Sequence, residues 1–227
     1  MFWIPPRKRN QYDPVFANNT WAKIIKACQN KEVPETWTVG SQKAMTINGT
    51  AYVIDIIGKG HDDYADGSGK APLTFQMHDC YRETKAMNRF NTNVGGWTSC
   101  AMRSTHLPAI LALMPTEIQN GIREVNKLTS AGNPSSTINT TADKLFLLSE
   151  VEIFGSVSYS ERGEGTQYEY YTAGNSKVKK YFGRAHGWGE RSPAASILSG
   201  FCIVKSNGNG TIGNANDETG VSFGFCF

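Results

Sequence analysis

The spacing of apolar residues changes several times along the chain and marks a series of short elements. The first apolar series has the i, i+3, i+4, i+7 spacing of one helical face, and Asn19-Thr20 immediately precedes it. Asn and Thr are good helix N-caps, so a helix is predicted to begin at Trp21. The residues on its apolar face are Trp21, Ile24, Ile25 and Cys28.

Extended patterns follow this helix. Asn48-Gly49 lies between two β-rich runs, 44–47 and 51–57, and such a pair is the strongest short-range signal for a β-hairpin. Further runs rich in Val, Ile, Leu and Phe predict additional strands. These runs are 73–77, 123–129, 144–148, 151–154, 201–205 and 221–227.

Between the predicted strands lie one helical region and several loops. From Ser99 the apolar pattern is helical, and Pro108 and Pro115 divide it into short helices, with Thr116 able to cap a further turn. Polar, Gly-rich stretches predict loops at 58–71 and 130–142, whereas 167–172 fits either a strand or an ordered loop. Asn and Gly fill half of positions 205–220, which predicts a turn-rich segment.

Composition and charge narrow the class of protein. The chain has 227 residues, of which 39% are hydrophobic and 19% charged, so it can bury a core and is not intrinsically disordered. A net charge of +3 does not imply a nucleic-acid partner, and no apolar run is long enough for membrane insertion. We expect one α+β domain over residues 20–227, preceded by an N-terminal extension, 1–19, that carries the basic run Arg7-Lys8-Arg9.

The cysteines and the N-terminus bear on the cellular compartment. The short apolar stretch at the N-terminus is followed by basic residues, an order that does not fit a signal peptide, so synthesis in the cytoplasm is expected. The five cysteines have no C-x-x-C spacing, and buried, reduced thiols are the leading interpretation. A Cys202–Cys226 disulfide stays possible in an oxidising exterior.

Two short stretches of the sequence contain residues with possible chemical roles. His61-Asp62-Asp63, with Asp66 nearby, offers oxygen ligands for Ca²⁺, but the spacing is not that of an EF-hand and no metal is assigned. The string 187–193 is the most distinctive in the chain. We interpret Trp188 as a core residue and Arg191-Ser192 as residues that fix a turn before Pro193.

Many short strings taken in order resemble the family known as domain of unknown function 6273, found in gut Firmicutes and their phages. The strings begin with Trp37…Val39-Gly40, Asn48-Gly49, 52–58, His61-Asp62 and 73–75. They continue with Gly96-Trp97, Met102-Arg103, 143–149, Glu152-Ile153 and 165–171. They end with Arg191-Ser192-Pro193, 201–204, Asn207-Gly208, Gly220-Val221 and Phe225-Cys226.

That family is similar to C-type-lectin-like variable proteins of diversity-generating retroelements, in which adenine-directed mutagenesis rewrites codons near the C-terminus. The resemblance implies a C-type-lectin-like fold, related to that of formylglycine-generating enzymes, with short antiparallel strands, few helices and long loops. It also implies a variable region at about 183–227 and fixed framework strings within it. The Asn-rich stretch 207–216 fits this, because Asn codons are favoured targets of such mutagenesis.

The residues interleaved among the framework strings are then the candidates for a variable, ligand-binding face. They are His186, Gly187, Gly189, Ala194, Ile197, Leu198, Ser199, Lys205, Thr211, Ile212, Gly213 and Asn214. Ile197, Leu198 and Ile212 stand in polar surroundings, where they suit either contact residues or side chains that turn back into the core. No catalytic residue, metal or cofactor is assigned.

The resulting hypothesis is a non-enzymatic adhesin of a phage virion, assembled in the host cytoplasm, that binds a protein or glycan of the bacterial surface. Other virion proteins are expected partners, and a homo-oligomer would add avidity. A bacterial surface protein is the alternative setting. Two alternative functions stay open: a formylglycine-generating-type copper oxidase that uses Cys202 and Cys226, and a structural virion protein without a ligand.

Overall fold

The computed structural model describes residues 11–227, and the basic run at 7–9 therefore lies outside the described residues. Over residues 11–227 the chain forms six short α-helices, a 3₁₀ turn at Phe16–Asn18 and a π-helical stretch at Met102–His106. The α-helices are α1 (Trp21–Gln29), α2 (Gly96–Ser99), α3 (Leu107–Leu111), α4 (Thr116–Gly121), α5 (Glu150–Phe154) and α6 (Glu169–Thr172).

Twelve short strands form the β-structure of the described residues. They are β1 (Gln42–Ile47), β2 (Thr50–Gly58), β3 (Thr74–Met77), β4 (Val125–Ser130), β5 (Ile138–Asp143), β6 (Leu145–Phe146), β7 (Lys179–Tyr181), β8 (Arg184–His186), β9 (Trp188–Pro193), β10 (Gly200–Val204), β11 (Gly210–Asn214) and β12 (Gly224–Cys226). All pairings between these strands are antiparallel, which confirms the expected α+β class with short antiparallel strands.

A five-stranded sheet in the order β1-β2-β3-β12-β6 forms the centre of the molecule. Phe75 of β3 stacks on Phe225 of β12 at 5.2 Å, and Trp21 of α1 meets Phe75 edge-on at 6.0 Å. Burying such aromatic pairs removes a large apolar area from water and stabilises the sheet. Tyr12 and Phe16, which precede residue 20, also pack into this core.

The last strand, β12, returns to the middle of this sheet, between β3 and β6. Residues 147–223 therefore leave the central sheet and come back to it. This long excursion carries the second sheet, with strands in the order β11-β10-β9. Every residue of β9 is buried, whereas β11 is the half-exposed edge.

The start of the chain follows the sequence prediction closely. Thr20 caps α1 by accepting a hydrogen bond from the Lys23 amide at 3.3 Å. The Asn48-Gly49 turn joins β1 and β2, and both residues have positive φ, as a type I′ turn requires. The strands predicted around residues 73–77, 123–129, 201–205 and 221–227 are also confirmed, with small shifts of their ends.

Four sequence predictions are wrong. The segment 151–154 is not a strand but helix α5, because Ser149 and Glu152 form a reciprocal capping box that starts a helix. Residues 167–172 contain α6 rather than a strand or an ordered loop. The predicted loops 130–142 and 205–220 contain β5 and β11, polar strands whose pairing with β4 and β10 supplies the order that their sequences do not signal.

The helical region 99–122 differs in detail from the prediction. Pro108, the second residue of α3, does not break the helix: the π-helical stretch runs directly into α3 and replaces the regular i→i−4 bonding just before it. Pro115 does separate α3 from α4, and it is Pro115 rather than Thr116 that occupies the N-cap position of α4.

Candidate binding face and the charge network beneath it

The structure brings most of the twelve candidate residues to the sheet β9–β11 and the loop before β10. Four of them are exposed, namely Ile197, Leu198, Lys205 and Asn214. Six are half-buried: His186, Gly187, Ser199, Thr211, Ile212 and Gly213. Gly189 and Ala194 are buried, so these two candidates are corrected: strand β9 and its end face the interior, and neither residue offers surface to a ligand.

Several apolar side chains in and next to this region are partly or largely exposed. Ile197 is 39% exposed, Leu198 53% and Tyr159 37%. Ile197 and Ile212 converge over Gly200: a Cβ at Gly200 would lie 2.9 Å from Ile197 Cδ1 and even closer to Ile212 Cγ2. Glycine at this position therefore makes room for both side chains. We call Tyr159, Ile197, Leu198 and Ile212 the apolar patch.

Asn93 holds the loop that presents this patch. Its buried side-chain amide donates to the carbonyl oxygens of Ala194, Ile197 and Gly200 at 3.0, 2.9 and 2.8 Å. Its backbone amide donates to the carbonyl oxygen of Leu198 at 2.7 Å. One residue from a distant loop thus fixes the backbone of 194–200.

Two further contacts fix the same loop from the other side. The Asn133 side chain donates to the Ala195 carbonyl oxygen at 2.5 Å, and the Ala195 amide donates to the Tyr159 carbonyl oxygen at 2.8 Å. All of these contacts use the main chain of the loop. Its side chains can therefore change without loss of the hydrogen bonds that shape it.

The end of β11 is fixed in a similar way. The Ala215 amide donates to the Asn91 side chain at 3.1 Å and to the Ser199 carbonyl oxygen at 2.8 Å, while the Asn88 amide donates to the Ala215 carbonyl oxygen at 2.8 Å. Ala215 itself is fully buried. The loop 88–93 therefore supports both the patch loop and the end of the edge strand.

Beneath the face, Arg191 of β9 takes part in a buried charge network. Its guanidinium donates to both carboxylate oxygens of Glu152, and Lys127 Nζ lies 2.9 Å from Glu152 Oε1 and 2.6 Å from Asp62 Oδ1. Two cations and two anions thus alternate, and all four are buried. We call Asp62, Lys127, Glu152 and Arg191 the charge network.

The network keeps its acids ionised. Burial acts to raise the pKa of Asp62, but the Lys127 ammonium outweighs it and lowers that pKa to about 2. Arg191 and Lys127 likewise lower the pKa of Glu152 against the effect of burial. Tyr168 and Thr74 donate hydrogen bonds to Asp62 at 3.0 and 2.5 Å, so its oxygens are satisfied.

The network confirms that Arg191 and Ser192 are structural, although they lie in a strand rather than in a turn. Arg191 also donates to the carbonyl oxygens of Leu147 and Glu164, each at 2.9 Å. Ser192 donates to the Glu164 carboxylate and accepts from the Glu150 amide at 2.9 Å. The binding face therefore rests on a β9 strand that is fixed on its inner side.

The acidic string at 61–66 does not gather into one cation site. His61, Asp62 and Glu152 do approach within 4.8 Å of one another, but Lys127 Nζ bonds to both carboxylates and already supplies the positive charge. Asp63 pairs with Lys70 at 3.2 Å and Asp66 with Arg123 at 2.5 Å. The three aspartates thus have three different cationic partners.

All five cysteines are buried with free thiols, as the leading interpretation predicted. Cys202 belongs to β10 and Cys226 to β12, in different sheets. Burial raises the pKa of both thiols well above its usual range. Cys226 Sγ contacts Thr74 Oγ1 at 3.5 Å and Asp62 Oδ2 at 3.7 Å, at the end of the charge network.

Sequence reasoning missed the residues that hold the face from outside the C-terminal region. Asn93 and Asn133 lie 101 and 62 positions from the carbonyl groups of Ala194 and Ala195 that they bind. A lone Asn in a polar loop gives no local signal of such a role. Glu152 did carry a signal, because Ser149 and Glu152 have the spacing of a capping box.

Most of the chain matches a known protein family. Residues 73–226 match the model of a family described as "Domain of unknown function (DUF6273)". No curated protein and no solved structure matches the chain. Over residues 11–227, no helix has the length and apolar character needed to cross a membrane.

Proposed function

The chain belongs to the DUF6273 family, and from the exposed face of its C-terminal sheet we propose that it is a non-enzymatic ligand-binding protein. The proposed binding residues are the apolar patch together with the exposed or half-buried candidates Ser199, Lys205, Thr211, Gly213 and Asn214. The observation that carries this proposal is the anchoring of loop 194–200 through its main chain alone.

This anchoring suits a recognition surface that changes while the fold does not. Rigid scaffolds commonly present binding residues on loops, because loop side chains are not needed for the core. Here Asn93 and Asn133 bind only carbonyl groups of the loop, so substitution at Ile197 or Leu198 removes no anchoring bond. Exposed apolar groups on such a loop are typical of protein-binding surfaces.

We further propose the fold, the mode of diversification and the biological setting that the family resemblance implies. The fold is a C-type-lectin-like fold, the face is diversified by a retroelement, and the protein is an adhesin of a phage virion. The return of β12 to the centre of the main sheet supports the fold assignment alone, because residues 147–223 then form one long excursion that carries most of the proposed variable region. A bacterial surface protein is the alternative setting.

A protein of the bacterial surface is the favoured ligand. Three of the four patch residues are aliphatic, and such side chains gain binding energy by burying apolar area. A glycan would favour aromatic and charged groups in a cleft. Since the net charge is only +3, shape and apolar contact would contribute more than long-range attraction.

The copper-oxidase alternative receives less support. A cysteine pair binds copper as thiolates, but burial raises the pKa of Cys202 and Cys226, and the two residues lie in different sheets. The alternative of a structural virion protein without a ligand predicts that changes on the face leave host adsorption unchanged.

The proposal is tested with fluorescently labelled protein and intact cells of gut Firmicutes strains. Strains that bind the wild type are then exposed to the triple variant Ile197→Ser, Leu198→Ser, Ile212→Ser, and at least tenfold weaker binding is expected. The matched control is Leu113→Ser, because Leu113 is 43% exposed and lies just after α3, outside the face. Equal binding by wild type and triple variant would contradict the proposal.

Two treatments of the same cells identify the ligand class. Protease treatment is expected to abolish binding, whereas periodate oxidation of glycans is expected to leave it unchanged. The retroelement assignment is tested separately on the neighbouring DNA. It requires a reverse transcriptase gene and a near-copy of the C-terminal coding segment that differs at adenines.

A further inference from the structure

The hairpin of β7 and β8 carries an exposed aromatic residue in an unusual backbone conformation. Phe182 and Gly183 form its two-residue turn, with φ of 48° and 77°. Phe182 is 78% exposed, the highest value among the large hydrophobic residues of the described chain. A bulky residue with positive φ is rare, because its Cβ crowds the backbone.

A second two-residue turn in the chain, between β1 and β2, provides a comparison. Asn48 and Gly49 join β1 and β2 through a two-residue turn with φ of 45° and 77°. Asn tolerates this conformation and is favoured in such turns. The β7–β8 turn thus has nearly the same φ values but carries Phe where Asn would be less strained. Its ring gains little from the fold, because most of it faces solvent.

The hairpin also lies apart from the apolar patch. Gly187, just after β8, lies near the Val204 carbonyl oxygen and the Lys205 backbone, at the end of β10. The patch loop precedes Gly200 at the opposite end of β10. A five-residue strand separates the two ends by roughly 13 Å. Phe182 is therefore not part of the apolar patch, and of the proposed binding residues Lys205 lies at the hairpin's end of β10.

Positive charge surrounds the tip of the hairpin. Lys180 and Arg184 are exposed, and they lie on opposite faces because Arg184 pairs with Tyr181 while Lys180 pairs with Ala185. Within residues 11–227, neither side chain makes an ion pair. The tip thus offers an apolar anchor between two available cations.

A cavity elsewhere on the same chain has the complementary chemistry. It has a volume of about 360 Å³, and its apolar lining comes from Tyr12, Pro14 and Pro34. Two exposed carboxylates, Glu32 and Glu35, also line it. Neither carboxylate is in an ion pair within the described part of the chain. An aromatic side chain flanked by cations fits such a cavity in both polarity and charge.

We propose that the β7–β8 hairpin is an assembly element that inserts Phe182 into the cavity at Tyr12, Pro14 and Pro34 of a second copy of this chain. Lys180 and Arg184 then lie against Glu32 and Glu35 of that copy. The contact is head-to-tail, so each copy gives its hairpin to one neighbour and its cavity to another. This inference does not depend on the proposed ligand-binding function.

The first test measures self-association of the purified full chain by analytical ultracentrifugation over a range of concentrations. The wild type is expected to sediment as an oligomer, and Phe182→Asn as a monomer. The same substitution is expected to raise the thermal midpoint of the monomer, since Asn relieves the strain at positive φ. Loss of association through misfolding would instead lower that midpoint. The control is Phe90→Asn, a 69% exposed Phe outside the hairpin, which is expected to keep the oligomer.

Charge reversal tests the pairing of the two surfaces. Lys180→Glu/Arg184→Glu and Glu32→Lys/Glu35→Lys are each expected to be monomeric, because each variant opposes like charges. An equimolar mixture of the two variants is expected to associate again, since every hairpin then meets a cavity of opposite charge. No other pair of surfaces predicts this recovery.

Three results would overturn the proposal. They are a monomeric wild type at all concentrations, an oligomer that persists in Phe182→Asn, and a mixture of the charge variants that stays monomeric. Sedimentation with vesicles of equal parts phosphatidylglycerol and phosphatidylcholine provides one more comparison. If the monomeric wild type binds these vesicles and Phe182→Asn does not, the hairpin is a lipid-binding element instead.

Discussion

Arg191 and Glu152 form a two-point ion pair in the core, with Nη1–Oε2 and Nη2–Oε1 distances of 2.5 and 2.8 Å. The pair joins the inner strand of the binding-face sheet to the first turn of α5. Lys127 approaches the same carboxylate from β4 at 2.9 Å. Glu152 thus joins three elements, α5, β4 and β9, and is one of the residues that position the proposed binding face on the rest of the fold.

Neutralising this glutamate is expected to destabilise the protein strongly. In Glu152→Gln, Arg191 and Lys127 would remain buried with Asp62 as the only nearby anion of the charge network. Leaving a buried charge unpaired costs about 3–5 kcal/mol of unfolding free energy. Chemical denaturation measures the loss. Glu124→Gln, at an exposed position, should change stability by about 0.5 kcal/mol or less, and a similarly small loss in Glu152→Gln would contradict the prediction.

The substitution Asn93→Asp tests the hydrogen bonds that hold the patch loop. The shape of the side chain is kept, but the NH2 group whose two hydrogens serve the carbonyl oxygens of Ala194, Ile197 and Gly200 is lost, and a carboxylate faces these oxygens. A loss of about 2 kcal/mol is expected, roughly 1 kcal/mol for each N–H donor. Hydrogen exchange should also show faster exchange of the Ala194 amide, which bonds to the Gly200 carbonyl oxygen.

Asn207→Asp is the matched control for this substitution. Asn207 accepts a hydrogen bond from the Asn209 amide through its side-chain oxygen, and Asp keeps that oxygen. No measurable change in stability is expected. If both substitutions have the same effect, the stability does not come from the contacts of Asn93.

Stability is expected to fall as pH rises above the acidic range, because two buried acids favour the protonated form. Burial raises the pKa of Glu164 to about 7 and that of Glu190 well above 4.5. The folded protein then holds protons that the unfolded chain has released, so the free energy of unfolding decreases with pH. For Glu164 the loss falls between about pH 4.5 and 7.

Glu190→Gln separates the contribution of Glu190. Among the described residues, no hydrogen-bond donor reaches either oxygen of Glu190, and a neutral amide of the same shape removes the buried acid. The variant should become more stable than the wild type as pH increases. Urea denaturation at a series of pH values checks this, and parallel pH curves for the two proteins would be the contrary result.

The C-terminal end of α1 predicts a stabilising substitution. Lys31 has a φ of 56°, and its amide and that of Glu32 bond to the carbonyl oxygens of Cys28 and Ala27 in a Schellman motif. Lys31→Gly should stabilise the protein by about 1 kcal/mol, because Gly adopts this conformation without strain. Lys26→Gly, inside the same helix, should destabilise it by about 1 kcal/mol. Equal signs for the two changes in unfolding free energy would contradict the interpretation.

The thiols are expected to be unreactive in the folded protein. All five are buried and free, and burial raises the pKa of Cys28 to about 12 and that of Cys80 to about 11. A chromogenic disulfide reagent should label them slowly under native conditions and should label five thiols per chain in guanidinium. Rapid native labelling of Cys202 or Cys226 would favour the metal-binding alternative.

An element of this fold is predictable from the sequence when the residues that determine it lie close together in the chain. Helix α1 and the Asn48-Gly49 hairpin are determined by residues within a few positions of one another, and both were predicted. Helix α5 differs from its prediction, because the apolar run 151–154 predicts a strand whereas the capping box of Ser149 and Glu152 starts a helix. Strand β11 gave no apolar alternation, and only its pairing with β10 makes it a strand.

The candidate binding face likewise combines features that the sequence predicts with features that only the fold determines. The sequence by itself determined the class of fold, the buried Trp188, and a C-terminal set of candidates of which ten reach the surface at least in part. Only the tertiary structure decided that Gly189 and Ala194 are buried, that Ile197 and Leu198 face outward, and that Asn93 holds them there. The reason is physical: burial and long-range hydrogen bonds depend on which segments the fold brings together, and residues a hundred positions apart carry no local pattern of that contact.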